Sequence, residues 1–217
     1  MASFHDLAAA PDPPLDALAL ALAAEFRPVD APAALARLDA LGAELRAALP
    51  SGGDAPAEAR ACGDLLGRVH GFAGDRDEYD HPDNSMLDRV LERRRGLPIL
   101  LSVVYVAVAD RAGVALAGVG LPGHFVVGHF GIDPPVLLDP FSGGERLTAD
   151  VDRHHLRPWA PAEIALRMLN NLVGSYGRRG QLAAAITAAR MRLALPADAP
   201  LRGHLHAELR RLEARLN

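Results

Sequence analysis

The chain has 217 residues, of which 50% are hydrophobic and 23% are charged, so it is long enough to bury one substantial core as a soluble globular protein. Its formal net charge of -4, with arginines and acidic residues interspersed, excludes the basic stripe that a phosphate backbone requires, so no nucleic-acid partner is expected. The single cysteine, Cys62, excludes an internal disulfide framework and a zinc site made of several thiolates.

No segment has the pattern of a signal peptide or a membrane span. The first residues lack a positively charged start and are interrupted by Pro11, Pro13 and Pro14, so they do not resemble a signal peptide. The longest apolar run, Leu97–Ala109, is shorter than the roughly 20 residues that a bilayer requires. We therefore expect a cytoplasmic protein without membrane contact. The sequence makes no prediction of its oligomeric state.

The first part of the chain is predicted to be helical after a disordered N-terminus, residues 1–13. From Pro14 to Leu49, Ala and Leu recur at helical spacing, which predicts two amphipathic helices joined near Arg27–Pro32. A third, short helix is predicted over Ala57–Phe72, and it carries Cys62.

The run RRRGLPILLS, residues 93–102, is predicted to join two helices. Ser85 and Asp88 have the spacing of a capping box, so the first helix should begin there and end at Gly96, a suitable residue for the left-handed position. Pro98 suits the first turn of the next helix, because its missing N–H would have no partner there. That helix is apolar on nearly every face as far as Asp110, which predicts that it is buried.

Beyond Gly113 the pattern changes to short strands, VALAGVGL, HFVVGHF and PVLLDPF, which favour an antiparallel sheet. From Pro161 the chain is again helical, and LNNLVGSYGRRGQLAAAITAARMRLALP is similar to one tetratricopeptide-type hairpin, here an appendage packed on the core. The sequence thus predicts an α+β protein with a buried helix against a small antiparallel sheet, a core domain with its N-terminal helices over residues 14–160, and a helical tail over residues 161–217.

One His and one Asp are placed so that they could meet at one end of this sheet. His124 opens a strand and Asp139 closes the next, so in an antiparallel pair the carboxylate could orient the imidazole and define its tautomer. The third member of a triad would lie at the start of the buried helix, where free N–H groups and the helix dipole lower the pKa of a thiol.

This order of buried helix, strand with His and strand with Asp resembles the transglutaminase-like superfamily. The phrases HPDNSMLDRVLERRRG, LSVVYVAVADRAG, GVGLPGHFVV and LLDPFSGG look like its SirB-type branch, a transglutaminase-like core followed by tetratricopeptide-like helices. The resemblance covers roughly residues 14–200 and implies a papain-like core with a Cys-His-Asp site, used in relatives for amide acyl transfer or hydrolysis. It implies that Pro98 takes the cysteine position, while His124 and Asp139 match the other two.

Two residues could substitute for the missing nucleophile. Ser102 lies one helical turn after Pro98 on the same face, where His124 could activate its hydroxyl. A serine inside a helix, however, has few free N–H groups nearby for an oxyanion hole and commonly bonds the carbonyl four residues earlier, so a packing role is preferred. Cys62 lies in no recognisable motif, and free cysteines are usually buried core residues.

Three residues of the phrase before the charged helix, Tyr79, Asp83 and Asn84, are candidates for lining a pocket, although turn and capping roles explain Asp83 and Asn84 equally well. No metal site is expected, because the histidines have unsuitable spacing: His124 and His129 fall on opposite faces of a regular strand, and the adjacent His154 and His155 point apart. No cofactor is expected either. The arginines at 93–95 complement the negative end of the helix dipole.

The sequence favours a protein that has lost its catalytic cysteine but retains a His-Asp cleft, and that binds a peptide, a protein or a small ligand. Without a covalent nucleophile, general-base assistance by His124 is worth only about a hundred- to ten-thousand-fold. The alternative is a hydrolase or acyl transferase in which Ser102 is the nucleophile, His124 the base and Asp139 the orienting residue. A third hypothesis is an adaptor that acts through its tail, around Tyr176.

Overall fold

In the computed structural model, which describes residues 2–148 and 151–215, helices enclose a four-stranded sheet. The α-helices are α1 (Phe4–Ala8), α2 (Leu15–Ala24), α3 (Ala31–Ala48), α4 (Ala55–Gly63), α5 (Leu87–Arg93), α6 (Pro98–Ala112), α7 (Pro161–Arg178), α8 (Leu182–Met191) and α9 (Ala199–Ala214). The strands are β1 (Ala73–Gly74), β2 (Arg95–Gly96), β3 (Leu116–Leu121), β4 (His124–His129), β5 (Val136–Asp139) and β6 (Glu145–Arg146). The predicted α+β class is confirmed.

The N-terminal half contains the predicted helices and one that was not predicted. The paired helices α2 and α3 are present, but the predicted disorder of residues 1–13 is wrong for Phe4–Ala8, because α1 buries the Phe4 ring completely. Ser3 caps α1 by accepting a hydrogen bond from the Asp6 N–H. The predicted third helix is α4, and it continues as a π-helix over Asp64–Val69.

The start of α5 corrects the predicted capping box. Ser85 belongs to a 3-10 turn, Pro82–Ser85, and its buried hydroxyl has no hydrogen-bond partner among the described residues. The residue before α5 is Met86, whose side chain cannot cap. Asp88 instead forms an ion pair with Arg27, so a contact between distant parts of the chain replaces the predicted local one.

At the junction between α5 and α6, the left-handed position is occupied by a different residue from the one predicted. Arg94, with φ of 56°, occupies the left-handed position after α5, so the assignment of Gly96 to that position is wrong. Gly96 pairs with Gly74 of β1, and a Cβ atom there would lie 2.7 Å from the Val90 side chain, which only glycine avoids. Pro98 begins α6, as predicted.

The buried helix α6 is the centre of the fold. It packs against α3 on one side and against β3 and β4 on the other, and most of its residues are buried, as the apolar sequence predicts. The sheet has the order β3-β4-β5-β6 and is antiparallel throughout. No helix among residues 2–148 and 151–215 is both long and apolar enough to cross a membrane.

The tail begins with the helical hairpin of α7 and α8, followed by α9. α7 packs on α8 and also contacts α2, α6 and the turn before α5. The Ser175 hydroxyl donates to the Asp80 carbonyl oxygen, and Arg178 forms an ion pair with the Asp80 carboxylate. The tail is therefore attached to the loop that carries Tyr79.

Candidate functional site

His124 and Asp139 meet where two antiparallel strands come together. The register pairs Val127 with Leu138, so one further step places Asp139 opposite Val126, two residues from His124. Residues two apart share a face of a strand, which brings the two side chains to one side of the sheet. Nε2 of His124 lies 3.1 Å from Oδ1 of Asp139. The structure thus brings together the two residues that the strand pattern had placed side by side.

The Asp139 carboxylate is held by donors from its own turn. Oδ1 accepts the Phe141 N–H at 2.9 Å, and Oδ2 accepts the Ser142 hydroxyl at 3.0 Å. Burial alone would raise the pKa of Asp139, but the hydrogen bond and charge of His124, together with these two donors, hold the pKa below its ordinary value. Asp139 is therefore ionised at neutral pH. When Nε2 of neutral His124 donates to it, Nδ1 is the nitrogen that can accept a proton or a hydrogen bond.

Aromatic rings form one wall beside this pair. The ring centroid of Phe141 lies 6.4 Å from that of His124 and 5.8 Å from that of Tyr79, both in edge-on arrangements. The Arg76 guanidinium lies over the Phe141 ring, 5.2 Å from its centroid. Tyr79 is 46% exposed and the His124 side chain is 30% exposed, so a ligand from solvent can reach both.

The start of α6 lies close to this wall. A Cβ atom at Gly74 would be 2.3 Å from the Phe141 ring, so the ring rests directly on β1. Gly74 pairs with Gly96 of β2, and Pro98 follows Gly96 by two residues. The position that the family resemblance assigns to the nucleophile is thus held by a buried proline, which has no reactive side-chain group.

The hydroxyl of Ser102 is directed along its own helix. It donates to the Pro98 carbonyl oxygen at 2.8 Å, and the residue is 1% exposed. This is the back-bond that serine commonly forms inside a helix. The proton that a base would have to remove is therefore engaged with the backbone and shielded from solvent.

The only thiol is not reactive. Cys62 is fully buried, and burial, with a smaller effect from the charge of Glu58, raises the pKa of its thiol to about 12. It therefore stays protonated at neutral pH. The neighbouring Tyr105 is also buried, and its hydroxyl has no hydrogen-bond partner in the described part of the chain.

Of the three candidate pocket residues, Tyr79 alone lines the small cavity of about 60 Å³ beside the site, together with residues such as Leu97 and Ser175. Asn84 is completely buried: its amide group donates to the Glu78 carbonyl oxygen at 2.7 Å, and its side-chain oxygen accepts from Arg93.

The predicted pocket-lining role is therefore wrong for Asn84, because its polar atoms are used inside the protein to hold the Tyr79 loop. Asp83 does not line this cavity either. Its carboxylate faces Arg89 at 3.7 Å and belongs to the turn before α5.

Comparison with known proteins identifies the family. A family model described as "Transglutaminase-like superfamily" matches residues 32–170, which is more than half of the chain. The chain belongs to the transglutaminase-like superfamily. The matched region contains the start of α6, both members of the His124–Asp139 pair, and the first half of α7.

Several curated relatives are UPF0162 proteins. One from Pseudomonas aeruginosa is 33% identical over 198 residues, covering 83% of this chain and 72% of the relative. One from Xylella fastidiosa strain 9a5c is 37% identical over 94 residues, or 43% of this chain and 34% of the relative. A second Xylella protein, from strain Temecula1, is 37% identical over 105 residues, or 46% and 37%. The chain spans about a third of the length of these two Xylella relatives. No solved structure matches it.

One residue of this transglutaminase-like site could not be singled out from the sequence. Arg167 of α7 donates to the His124 carbonyl oxygen at 2.9 Å, and its guanidinium lies over the Phe125 and Trp159 rings, 5.4 and 5.7 Å from their centroids. Burial lowers the pKa of Arg167. The only sequence signal is a cation within the mostly apolar stretch IALRML, which is too common to indicate a site.

Two other histidines, His129 and His154, have partners of their own. His129, at the far end of β4, contacts Glu58 through Nε2 at 2.8 Å and accepts the Gly131 N–H at Nδ1. His154 lies 2.7 Å from Asp152 on the surface. Its ring centroid is 3.8 Å from that of His155, so the prediction that these two side chains point apart is wrong. Within the described ranges, no group of three or more His, Cys, Asp or Glu side chains is arranged to hold a metal ion.

Proposed function

We propose that this chain is a transglutaminase-like protein of the SirB type that has lost cysteine chemistry and acts as a binding protein. In this proposal the His124–Asp139 pair and the aromatic wall beside it form a cleft for a peptide, a protein segment or a small ligand. The helical tail, similar to a tetratricopeptide hairpin, supports this cleft from α7. The proposed compartment is the cytoplasm.

The observation that carries the proposal is the combination at the start of α6. Pro98 occupies the position of the expected nucleophile, and the nearest hydroxyl, that of Ser102, donates to the Pro98 carbonyl oxygen. Cys62 is buried and protonated. Covalent acyl transfer needs an activated nucleophile, and none of these groups is activated.

The exposed part of the cleft supports binding of a segment with both polar and apolar groups. Nδ1 of His124 can accept a hydrogen bond, while Arg76 supplies a donor. Tyr79 presents a half-exposed ring, and aromatic side chains of this kind contribute strongly to peptide recognition because they bury much area at low entropic cost. A peptide with an aromatic or aliphatic side chain beside a hydrogen-bond donor fits these groups.

The proposal is tested by selecting heptapeptides from a displayed random library against the full chain. We expect sequences that bind the wild type and lose at least about tenfold in affinity, or 1.4 kcal/mol, with Tyr79→Ala and His124→Ala. The matched control is His154→Ala, which removes an exposed histidine that also lies beside an aspartate, and should leave binding unchanged.

Two results would contradict the binding proposal. Peptides whose affinity is insensitive to Tyr79→Ala and His124→Ala would place the binding surface elsewhere. If Tyr176→Ala alone abolished binding, the adaptor hypothesis based on the tail would be supported instead. Circular dichroism of each variant shows whether it remains folded.

The second candidate, a hydrolase with Ser102 as nucleophile, is favoured by one observation, the oriented and solvent-reachable imidazole of His124. A fluorophosphonate probe followed by intact-mass measurement distinguishes the two proposals. We expect no adduct. An adduct on the wild type that is absent from both Ser102→Ala and His124→Ala would establish the hydrolase and overturn the binding proposal.

A further inference from the structure

A second and larger cavity, of about 370 Å³, adjoins the turn that holds Asp139. One wall is formed by α4 and the π-helix that continues it, and the other by β5, β6 and the turn between them. Neither His124 nor Asp139 lines this cavity. Ser142, however, belongs to its wall and donates to Oδ2 of Asp139, so the cavity and the cleft share one turn.

Backbone contacts define the shape of this cavity. Gly143 and Gly144 have φ values of 72° and 78°, in the left-handed region that favours glycine. A Cβ atom at Gly67 would lie 1.7 Å from the Gly143 carbonyl oxygen, so the π-helix and the turn touch without side chains between them. A π-helix is rare and is frequently found at functional sites. The cavity is therefore preformed by the fold.

The floor of the cavity is apolar and its rim is cationic. Val136 and Leu138 are buried residues of the floor. Arg60, Arg68 and Arg146 are exposed on the rim, alongside the acidic residues Asp64 and Glu145.

The charges on this rim are not balanced. Arg68 is paired with Asp64 at 2.9 Å, whereas neither Arg60 nor Arg146 forms an ion pair or a side-chain hydrogen bond with any residue in the ranges 2–148 and 151–215. Two guanidinium groups and one carboxylate, that of Glu145, thus have no ion-pair partner among these residues, so the rim above the apolar floor carries one positive charge in excess. A guanidinium presents its N–H donors as a fork that matches the oxygens of a carboxylate or a phosphate.

We propose that this cavity binds a small organic anion, whose carboxylate or phosphate is held by Arg60 and Arg146 and whose apolar body lies on Val136 and Leu138. The volume is within the range of small-molecule sites, which combine an apolar lining with a few polar groups. This site does not depend on the function proposed for the His124 cleft, because none of the groups that hold the anion belongs to that cleft.

A calorimetric titration of the full chain with four probes tests separately the role of the anionic head and that of the apolar body. Phenyl phosphate and benzoate carry an anionic head on an apolar body, inorganic phosphate lacks the body, and phenol lacks the charge. We expect saturable binding of phenyl phosphate, of benzoate, or of both, and the tighter of the two identifies the head group. Inorganic phosphate and phenol should bind at least about tenfold more weakly, since each loses one of the two contributions.

Substitutions on the rim test whether the probe binds in this cavity. The double variant Arg60→Gln/Arg146→Gln should weaken the tighter probe at least about tenfold. Arg210→Gln, which removes an exposed arginine of α9, should not change the affinity. In the labelled wild type, the amide resonances of Gly143 and Gly144 should shift on titration, which tests the site even if the double variant does not fold.

Three results would overturn the inference. Phenol or inorganic phosphate binding as tightly as the tighter of the two aromatic anions would show that charge or apolar contact has no role. Unchanged affinity in the folded double variant, or equal weakening by Arg210→Gln, would show that the rim arginines do not form a site. Absence of saturable binding would exclude this cavity as the binding site.

Discussion

Strand β4 carries a histidine at each end, and each lies beside a carboxylate, yet the two pairs differ in what they can do. The His129 side chain is 3% exposed, and both its nitrogens are used, by Glu58 and by the Gly131 N–H. The His124 side chain is 30% exposed and uses Nε2 for Asp139. A His-carboxylate pair is therefore not a functional signal by itself. The difference lies in whether one nitrogen remains available to a ligand.

The largest expected effect comes from removing the buried histidine. His129→Ala should lower the free energy of unfolding by about 2–4 kcal/mol, because it leaves a cavity and deprives Glu58 and the Gly131 N–H of their partner. His124→Ala, at the exposed end, should cost about 1 kcal/mol or less. Urea denaturation measures both. Equal losses would remove the distinction between the two ends of β4.

Acid should reduce the contribution of Asp139 to the stability of the folded protein. The pKa of Asp139 is lowered from its ordinary value of 3.8, so its stabilisation is present above that value and is lost as the pH falls through the lowered native pKa. Asp139→Asn should therefore lower stability at neutral pH, by about 1–2 kcal/mol, and flatten the acid side of the stability curve.

Urea midpoints measured between neutral pH and about pH 3 test this, over the range in which an unfolded aspartate becomes protonated. Asp12→Asn is the control, because Asp12 is an exposed carboxylate that forms no ion pair or side-chain hydrogen bond with any residue in the ranges 2–148 and 151–215. An Asp139→Asn curve parallel to that of the wild type would show that Asp139 is not ionised and paired as described.

The hydrogen bond from Arg167 of α7 to the His124 carbonyl oxygen should contribute less to the free energy of unfolding. Arg167→Met retains much of the apolar stem but removes the bond to the His124 carbonyl oxygen, so we expect a loss of about 1 kcal/mol. Hydrogen exchange should be faster around the β3–β4 turn, next to His124, in this variant and unchanged at the other end of β4, near His129. An exposed arginine of the tail, changed by Arg210→Met, serves as the control. Equal exchange in both variants would mean that α7 does not support the site.

The smallest effect is expected at Ser102. Ser102→Ala removes a hydroxyl and its hydrogen bond to the Pro98 carbonyl oxygen. That oxygen still accepts the backbone N–H of residue 102, as in any α-helix. The free energy of unfolding should therefore change by less than about 1 kcal/mol. Peptide affinity at the cleft should not change. A large loss of binding or of any hydrolytic activity would show that Ser102 participates in the site.

Local patterns were reliable where one residue type has one dominant role. Pro98 begins α6 because a proline fits the first helical turn, and the apolar run after it is buried between α3 and the sheet. The β-branched and aromatic residues of VALAGVGL and HFVVGHF, with Gly and Pro at the junctions, predict strands, and these are β3 and β4. His124 and Asp139 could be placed together because the start of one strand and the end of the next lie at the same end of an antiparallel pair.

Local patterns failed where a distant contact competes with a local one. Ser85 has the spacing of a helix cap, but it lies in a 3-10 turn. Asp88, its predicted partner in the capping box, pairs with Arg27 instead. Gly96 suits a left-handed helix end, yet it is required for close packing on Val90, and Arg94 takes the left-handed position. Asn84 resembles a surface turn residue, but it is buried because Glu78 and Arg93 satisfy its polar atoms.

The amino-acid sequence by itself determined the long helices, the strands β3, β4 and β5, the proline at the start of α6 and the neighbourhood of His124 and Asp139, because these follow from backbone geometry over a few residues. Only the tertiary structure decided which histidine stays open to a ligand and that Arg167 and Phe141 enclose the site. Those outcomes depend on burial and on partners far away in the chain, which no local spacing specifies.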